Sequence, residues 1–196
     1  MIKVGITGGI GSGKTTFCKE WEKLGAFVLY ADDFAKQLMN DDENLRGMIK
    51  NVFGEGAYID GKLNREYLAR EAFEKGRVEE LNALVHPVLR KKTSNLANQK
   101  EKEGVKIFAN EAAILLNEGR PENFDYVILL LSKEEKRTQR VMMRDNAKKE
   151  QIVSRIKKQP DFDALVHLSD FIVLNDGTLE ELKEKARKLY NELIEV

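Results

Sequence analysis

One cysteine, three prolines and one tryptophan are few for a chain of 196 residues, and each scarcity excludes something. Cys18 has no second thiol to pair with, so no internal disulfide is expected, which suits a reducing, cytoplasmic setting. Pro-rich linkers, internal repeats and low-complexity tracts are missing. The longest apolar runs are about the length of Val127-Ile-Leu-Leu-Leu131, short of the roughly 20 residues of a membrane span. Glycine and charge follow Val4 at once, so a signal peptide is not expected. Net charge is lacking too: 33 Lys and Arg balance 33 Asp and Glu, leaving no long-range field to draw in nucleic acid or an anionic membrane. The length predicts one globular unit, a monomer or small homo-oligomer, with room for an insertion.

What is present alternates between short apolar strands and amphipathic helices. Ile2 to Thr7, Ala26 to Tyr30, Val105 to Phe108, Tyr126 to Leu131 and Phe171 to Leu174 read as strands. Phe17 to Leu24 continues a helix that Gly25 closes. Leu179, Leu182, Ala186, Leu189 and Leu193 step by three and four, which places them on one face of a last helix. The pattern predicts an α/β fold, a five-stranded parallel sheet flanked by helices. From about Asp41 to Lys102 the alternation breaks into a long, charged, mostly helical stretch with turn-like Phe53-Gly-Glu-Gly56 and Asp60-Gly61, which reads as an inserted substrate subdomain.

Behind the first strand stands Gly8-Gly-Ile-Gly-Ser-Gly13-Lys14-Thr15, which fits the phosphate-loop pattern G-x-x-x-x-G-K-[ST]. Glycines let backbone N–H groups turn inward around phosphate oxygens. Lys14 brings a positive charge to the β- and γ-phosphates, Thr15 offers a hydroxyl to Mg²⁺, and the following helix aims its positive end at the anion. A strand before and an amphipathic helix after the loop set it apart from a chance glycine-rich turn. A GTPase switch would carry D-x-x-G and N-K-x-D, and neither pattern occurs. What remains is a small kinase that moves the γ-phosphate of ATP or GTP onto a metabolite.

Beyond the second strand come Asp32 and Asp33. Ligands in open α/β sheets bind past the carboxyl ends of strands, where Asp32 is either the base that accepts a proton from an acceptor hydroxyl or, with Asp33, a helix cap. Arg137, Arg140 and Arg144 share one face of a helix, with Lys148 another turn along if it persists past Asn146. They read either as a site for a transferring phosphoryl group or as a solvated face.

Taken in order, these pieces resemble the dephospho-coenzyme A kinase family over nearly the whole chain. The resemblance rests on Thr7 to Lys14, Ala31-Asp32, Phe53-Gly54, Asp60-Gly-Lys-Leu-Asn-Arg65, Leu68, His86-Pro87 with Arg90, Arg140-Val-Met-Met-Arg144-Asp145, Gln159 and Asn175. It implies a P-loop kinase core over about 1–40, 103–136 and 166–196, a helical acceptor-binding subdomain over about 41–102, and a lid over about 137–165. It further implies transfer of the ATP γ-phosphate to the ribose 3′-hydroxyl of dephospho-coenzyme A. Gly8, Gly9, Gly11, Ser12, Gly13, Lys14, Thr15, Thr16 and Asn175 would hold ATP, with Thr15 at the magnesium. Lys14, Asp32, Arg140 and Arg144 would serve catalysis. Asp32, Arg65, His86 and Arg90 would meet the acceptor, although His86-Pro87 also reads as a helix-breaking turn. His167 has no motif around it. The chain departs from the family where Asn110-Glu-Ala-Ala-Ile-Leu-Leu-Asn117-Glu118 lacks the usual proline, and where Arg137 replaces a glutamine. Glu111 is a candidate for the magnesium's outer ligands.

Overall fold

The computed structural model describes residues 1–195. Along the chain run β1 (Ile2–Gly8), α1 (Lys14–Lys23), β2 (Phe27–Tyr30), α2 (Ala31–Asp41), α3 (Glu43–Phe53), β3 (Tyr58–Ile59), β4 (Lys62–Leu63), α4 (Arg65–Ala69) and α5 (Val78–Lys102). There follow β5 (Ile107–Glu111), β6 (Tyr126–Leu131), α6 (Glu134–Asp145), α7 (Lys149–Lys157), β7 (Phe171–Leu174) and α8 (Leu179–Ile194). Two compact units result, Met1–Tyr30 with Lys100–Val196, and Ala31–Gln99.

In the first unit β2, β5, β1, β6 and β7 lie in that order, all parallel. Parallel strands need both faces covered. On one face Val4, Ile6, Ile107, Ala109, Ile128 and Leu130 pack with Phe17, Cys18 and Trp21 of α1 and Leu182, Ala186, Leu189 and Leu193 of α8. Each fully buried Val, Leu, Ile or Phe side chain among these contributes roughly 1.5–3 kcal/mol. Trp21 joins both helices to this face: it is wholly buried, its ring centroid lies 5.2 Å from that of Phe17, and its Nε1 donates to Ala186 O at 2.8 Å. On the other face Leu116, Phe124 and Val127 form a smaller cluster with Leu115, Leu165 and Leu168.

The second unit has its own core, in which Leu38, Leu45, Ile49, Phe53, Tyr58, Leu68 and Val85 are buried together. Asp42 caps α3 by accepting from Leu45 N at 3.0 Å, and Asn64 caps α4 through Tyr67 N. Lys92, 2.8 Å from Asp42, holds that carboxyl below its ordinary range. Asp60 (φ 49°) and Gly61 (φ 76°) form the two-residue turn between β3 and β4, where left-handed backbone at both positions matches the twist of a hairpin.

Several elements depart from the sequence reading. Val105 and Lys106 precede β5 rather than starting it, because Val105 N still bonds to Lys100 O at the end of α5. The strand instead runs on through polar Asn110 and Glu111, paired with β1 and β2. Ala26 lies before β2 and bonds back to Trp21 O. Leu179, beside the Thr178 cap, is exposed, while the rest of its predicted face is buried. Pro87 breaks nothing: α5 continues through it, anchored by apolar residues on either side such as Leu84, Val85, Val88 and Leu89. The lost N–H frees one carbonyl only. The helix carrying the arginines ends at Asp145 with Asn146 left-handed (φ 49°), so Lys148 lies at the start of α7 instead of extending that face. Asp32 and Asp33 are the second and third residues of α2, inside its first turn and not at its cap. The units divide at Tyr30 and Gln99, about ten residues before the expected start of the insertion, because Phe34, Ala35, Leu38 and Met39 of α2 pack into the second core.

Removing the Trp21 side chain takes away the ring packing and the hydrogen bond to α8 together. Trp21→Ala is expected to lower the unfolding free energy by about 3–5 kcal/mol, read from urea unfolding followed by circular dichroism.

Candidate active site

The loop between β1 and α1 sits at the carboxyl end of the central strand. Gly13, at the helix cap, has φ 103° and no side-chain cap, and a Cβ there would overlap Asn175 Nδ2. Gly11 has φ 77°, and a Cβ would stand 2.6 Å from Arg137 O. Only glycine combines that backbone with that approach. The first turn of α1 holds no acidic residue, so its positive end is unmasked.

Hydrogen bonding within the loop is one-sided. Among the described residues, the N–H groups of Gly11, Gly13, Lys14, Thr15 and Thr16 have no protein partner, whereas the carbonyls of Gly8, Gly9, Gly11, Ser12 and Gly13 do. Lys14 Nζ donates to Gly8 O at 2.8 Å, Ser12 N to Gly9 O at 3.1 Å and Phe17 N to Gly13 O at 3.0 Å. Asn175 Nδ2 donates to Ser12 O at 2.8 Å, and Arg140 Nη1 reaches Gly11 O at 3.4 Å. A run of unpaired N–H groups beside carbonyls that are mostly tied off is an anion cradle.

Charged groups surround the cradle. Lys14 Nζ lies 3.5 Å from Glu111 Oε1 at the end of β5, and both side chains are nearly buried, 11% and 13% exposed. Arg140, half-buried, donates to Asn175 O at 2.9 Å and Ser132 Oγ at 3.1 Å. Asp176 accepts from Lys133 N at 2.8 Å and Ser132 Oγ at 3.0 Å; the Lys133 N–H, then the hydroxyl, holds its carboxyl below the ordinary range. Burial pushes the Cys18 thiol up, with Glu111 adding to it, so Cys18 is packing and not a nucleophile.

Thus Gly8, Gly9, Gly11, Ser12, Gly13, Lys14, Thr15, Thr16, Arg140 and Asn175 come together in the first unit. Arg144 does not join them. Its side chain is 61% exposed and turns to Asp145, with Nε to Oδ1 at 2.6 Å. The other expected residues lie in the second unit: Asp32 exposed in the first turn of α2, Arg65 exposed at the start of α4, and His86 half-buried and Arg90 exposed on α5. His167 is exposed, its Nδ1 2.9 Å from Ala164 O. Sequence reasoning gave no part to Ser132 or Asp176, which tether the strand ends, although Ser132 directly follows β6 and Asp176 lies two residues past β7, where ligand sites form. Gln159 was only part of the resemblance, yet its Oε1 accepts from Ile10 N at 2.8 Å.

Comparison with known proteins adds identity to this geometry. A model of the dephospho-CoA kinase family matches residues 2–181. A dephospho-CoA kinase of Salinibacter ruber is 41% identical over 192 residues, covering 97% of this chain and 96% of its own. One from Chlorobium luteolum is 37% identical over 198 residues, covering 98% and 90%. Among solved structures, TT1252 from Thermus thermophilus superposes with a TM-score of 0.81 at 30% identity, over 98% of this chain and 97% of its own. Shikimate kinase from Bacteroides thetaiotaomicron, at 14% identity and a TM-score of 0.51 over 100% and 99%, shares the fold alone.

Two measurements check the bracing. Asn175→Ala is expected to leave a folded protein whose nucleotide affinity falls by up to about tenfold, by calorimetric titration, as one neutral hydrogen bond predicts. Asp176, with its pKa lowered in the fold, stabilises above the unfolded carboxyl's value and loses that contribution as pH falls through its own lower value. The gap in Tm between wild type and Asp176→Asn is therefore expected to shrink as pH is taken from neutral into the low acid range.

Proposed function

The chain belongs to the dephospho-CoA kinase family, and from that premise we propose that it transfers the γ-phosphoryl group of ATP to the ribose 3′-hydroxyl of dephospho-coenzyme A, releasing ADP and coenzyme A, the last step of coenzyme A synthesis. The observation that carries this reading is the cradle itself: five unpaired backbone N–H groups, the positive end of α1 and Lys14 share one loop, a combination suited to the phosphates of ATP.

In the transfer, the bond between the γ-phosphorus and the bridging oxygen to the β-phosphate breaks as the bond to the 3′-oxygen forms. Asp32, at the turn from β2 into α2, takes the hydroxyl proton. Lys14 leaves its loop carbonyls for phosphate oxygens. Arg140 and Arg144, in the segment of about 137–165 that acts as a lid, meet the charge that develops on the transferring group. Arg65, His86 and Arg90 belong to the helical unit that binds the acceptor.

Mg²⁺ fits the loop in one respect, since Thr15 stands exposed in the first turn of α1, beside the unpaired N–H groups. No cluster of three acidic, His or Cys side chains able to hold a metal occurs among the described residues. Thr15 would be the residue that holds it, with Glu111 close by at the end of β5. When bound, the ion neutralises phosphate charge. The setting is cytoplasmic, and no helix among the described residues is long and apolar enough to cross a membrane.

ADP release is to be measured with Mg·ATP and dephospho-coenzyme A against AMP, CMP and a blank without acceptor. ADP release dependent on dephospho-coenzyme A, with a new 3′-phosphate in the product, is expected, and turnover with another acceptor alone would refute the assignment. Lys14→Ala and Asp32→Asn are each expected to lower kcat by at least about a hundredfold in a folded protein. Near-wild-type turnover by Asp32→Asn would remove that carboxylate from the mechanism.

A further inference from the structure

The α6–α7 hairpin is joined to the phosphate loop at three successive residues. At Gly9, a Cβ would overlap Arg137 Nη1 and stand 3.4 Å from Gln159 Oε1. At Ile10, the N–H donates to Gln159 Oε1, and the side chain packs against Val141, Ile152 and Ile156 of the hairpin. At Gly11, the backbone lies against that of Arg137. The base of the hairpin and the front of the loop therefore move together or separate at the cost of a buried apolar cluster and a hydrogen bond.

Gln159 is the polar part of this junction. It lies just past α7, fixed by its own N–H to Ile156 O at 3.0 Å and by Pro160 behind it. We propose that Gln159 is a positioning residue for ATP: by taking the Ile10 N–H it holds the loop with its other N–H groups turned to the phosphates, and it couples nucleotide binding to the α6–α7 hairpin. The acceptor is a neutral amide, which satisfies Ile10 without setting a negative charge beside the anion site. A carboxylate would make the same bond and oppose the phosphates. This inference rests on the reading of the loop as an ATP site and not on the identity of the phosphate acceptor.

The test uses the full chain, Gln159→Met, which keeps the shape and loses the acceptor, and Gln159→Glu, which keeps the acceptor and adds charge. Hydrogen exchange in nucleotide-free protein is expected to show Ile10 N–H protected in wild type and Gln159→Glu and unprotected in Gln159→Met. The β,γ-imido analogue of ATP is expected to slow exchange along residues 141–156 in wild type and not in Gln159→Met. KM for ATP is expected to rise about tenfold in Gln159→Met, with KM for the phosphate acceptor unchanged. Wild-type affinity for the analogue in Gln159→Met, or unchanged Ile10 protection, would overturn the proposal. Should Gln159→Met fail to fold, Gln159→Glu carries the test: protected Ile10 with weakened analogue binding supports it, and unweakened binding overturns it. The analogue is titrated without acceptor, so failure to phosphorylate dephospho-coenzyme A refutes the acceptor assignment alone. Failure of the wild type to bind the analogue refutes both readings.

Discussion

Everything at the active end of the first unit depends on keeping carbonyl oxygens away from a place where an anion must sit. A turn of consecutive small residues exposes N–H and C=O groups in equal number, and a phosphate meeting both gains little. Here the carbonyls are tied off individually, Gly8 O by Lys14, Gly9 O by Ser12 N, Gly11 O by Arg140, Ser12 O by Asn175 and Gly13 O by Phe17 N. The donors left over face a site already oriented for negative charge, so little reorganisation is needed on binding.

That arrangement draws on the sheet order. With β1 central, its carboxyl end is flanked by those of β5 and β6, and β7 lies one strand further on. Parallel strands end on the same side, so Glu111, Ser132 and Asn175, though far apart in sequence, close around one loop. The same geometry explains why Asn175 and Asp176 are neighbours with different tasks. Asn175 is buried and turns to Ser12 and Gly13, whereas Asp176 ties the end of β7 to the start of α6 through Ser132 and Lys133.

The second unit is organised by a different principle, with helices around a small apolar core and a two-stranded hairpin at its side. Its polar anchors are local caps, Asp42 and Asn64, and buried Glu71 is held by Lys75 at 2.8 Å and Arg77 at 3.6 Å. The Lys75 amine, then burial working against it, sets the Glu71 carboxyl below its ordinary range. Local devices of this kind let a helical unit keep its shape while its exposed arginines, Arg65 and Arg90, stay at the surface.

By itself the sequence determined what is local or periodic. The glycine spacing of the loop, the apolar runs of β1, β6 and β7, the heptad-like face of α8 and the turn at Asp60-Gly61 all depend on near neighbours, and near neighbours are written side by side. The polar end of β5 was not legible, because Asn110 and Glu111 are strand residues only through pairing with β1 and β2. Nor was the uninterrupted course of α5 through Pro87, which packing against a core built from α2 and α3 sustains against local preference. The tasks of Gln159, Ser132 and Asp176, and the separation of Arg144 from Arg140 despite their shared helix, were decided by the tertiary structure alone. Gln159, Ser132, Asp176 and Arg140 each depend on a partner brought near by the fold, whereas Arg144 turns to its neighbour Asp145, and no pattern along the sequence records which way each side chain goes.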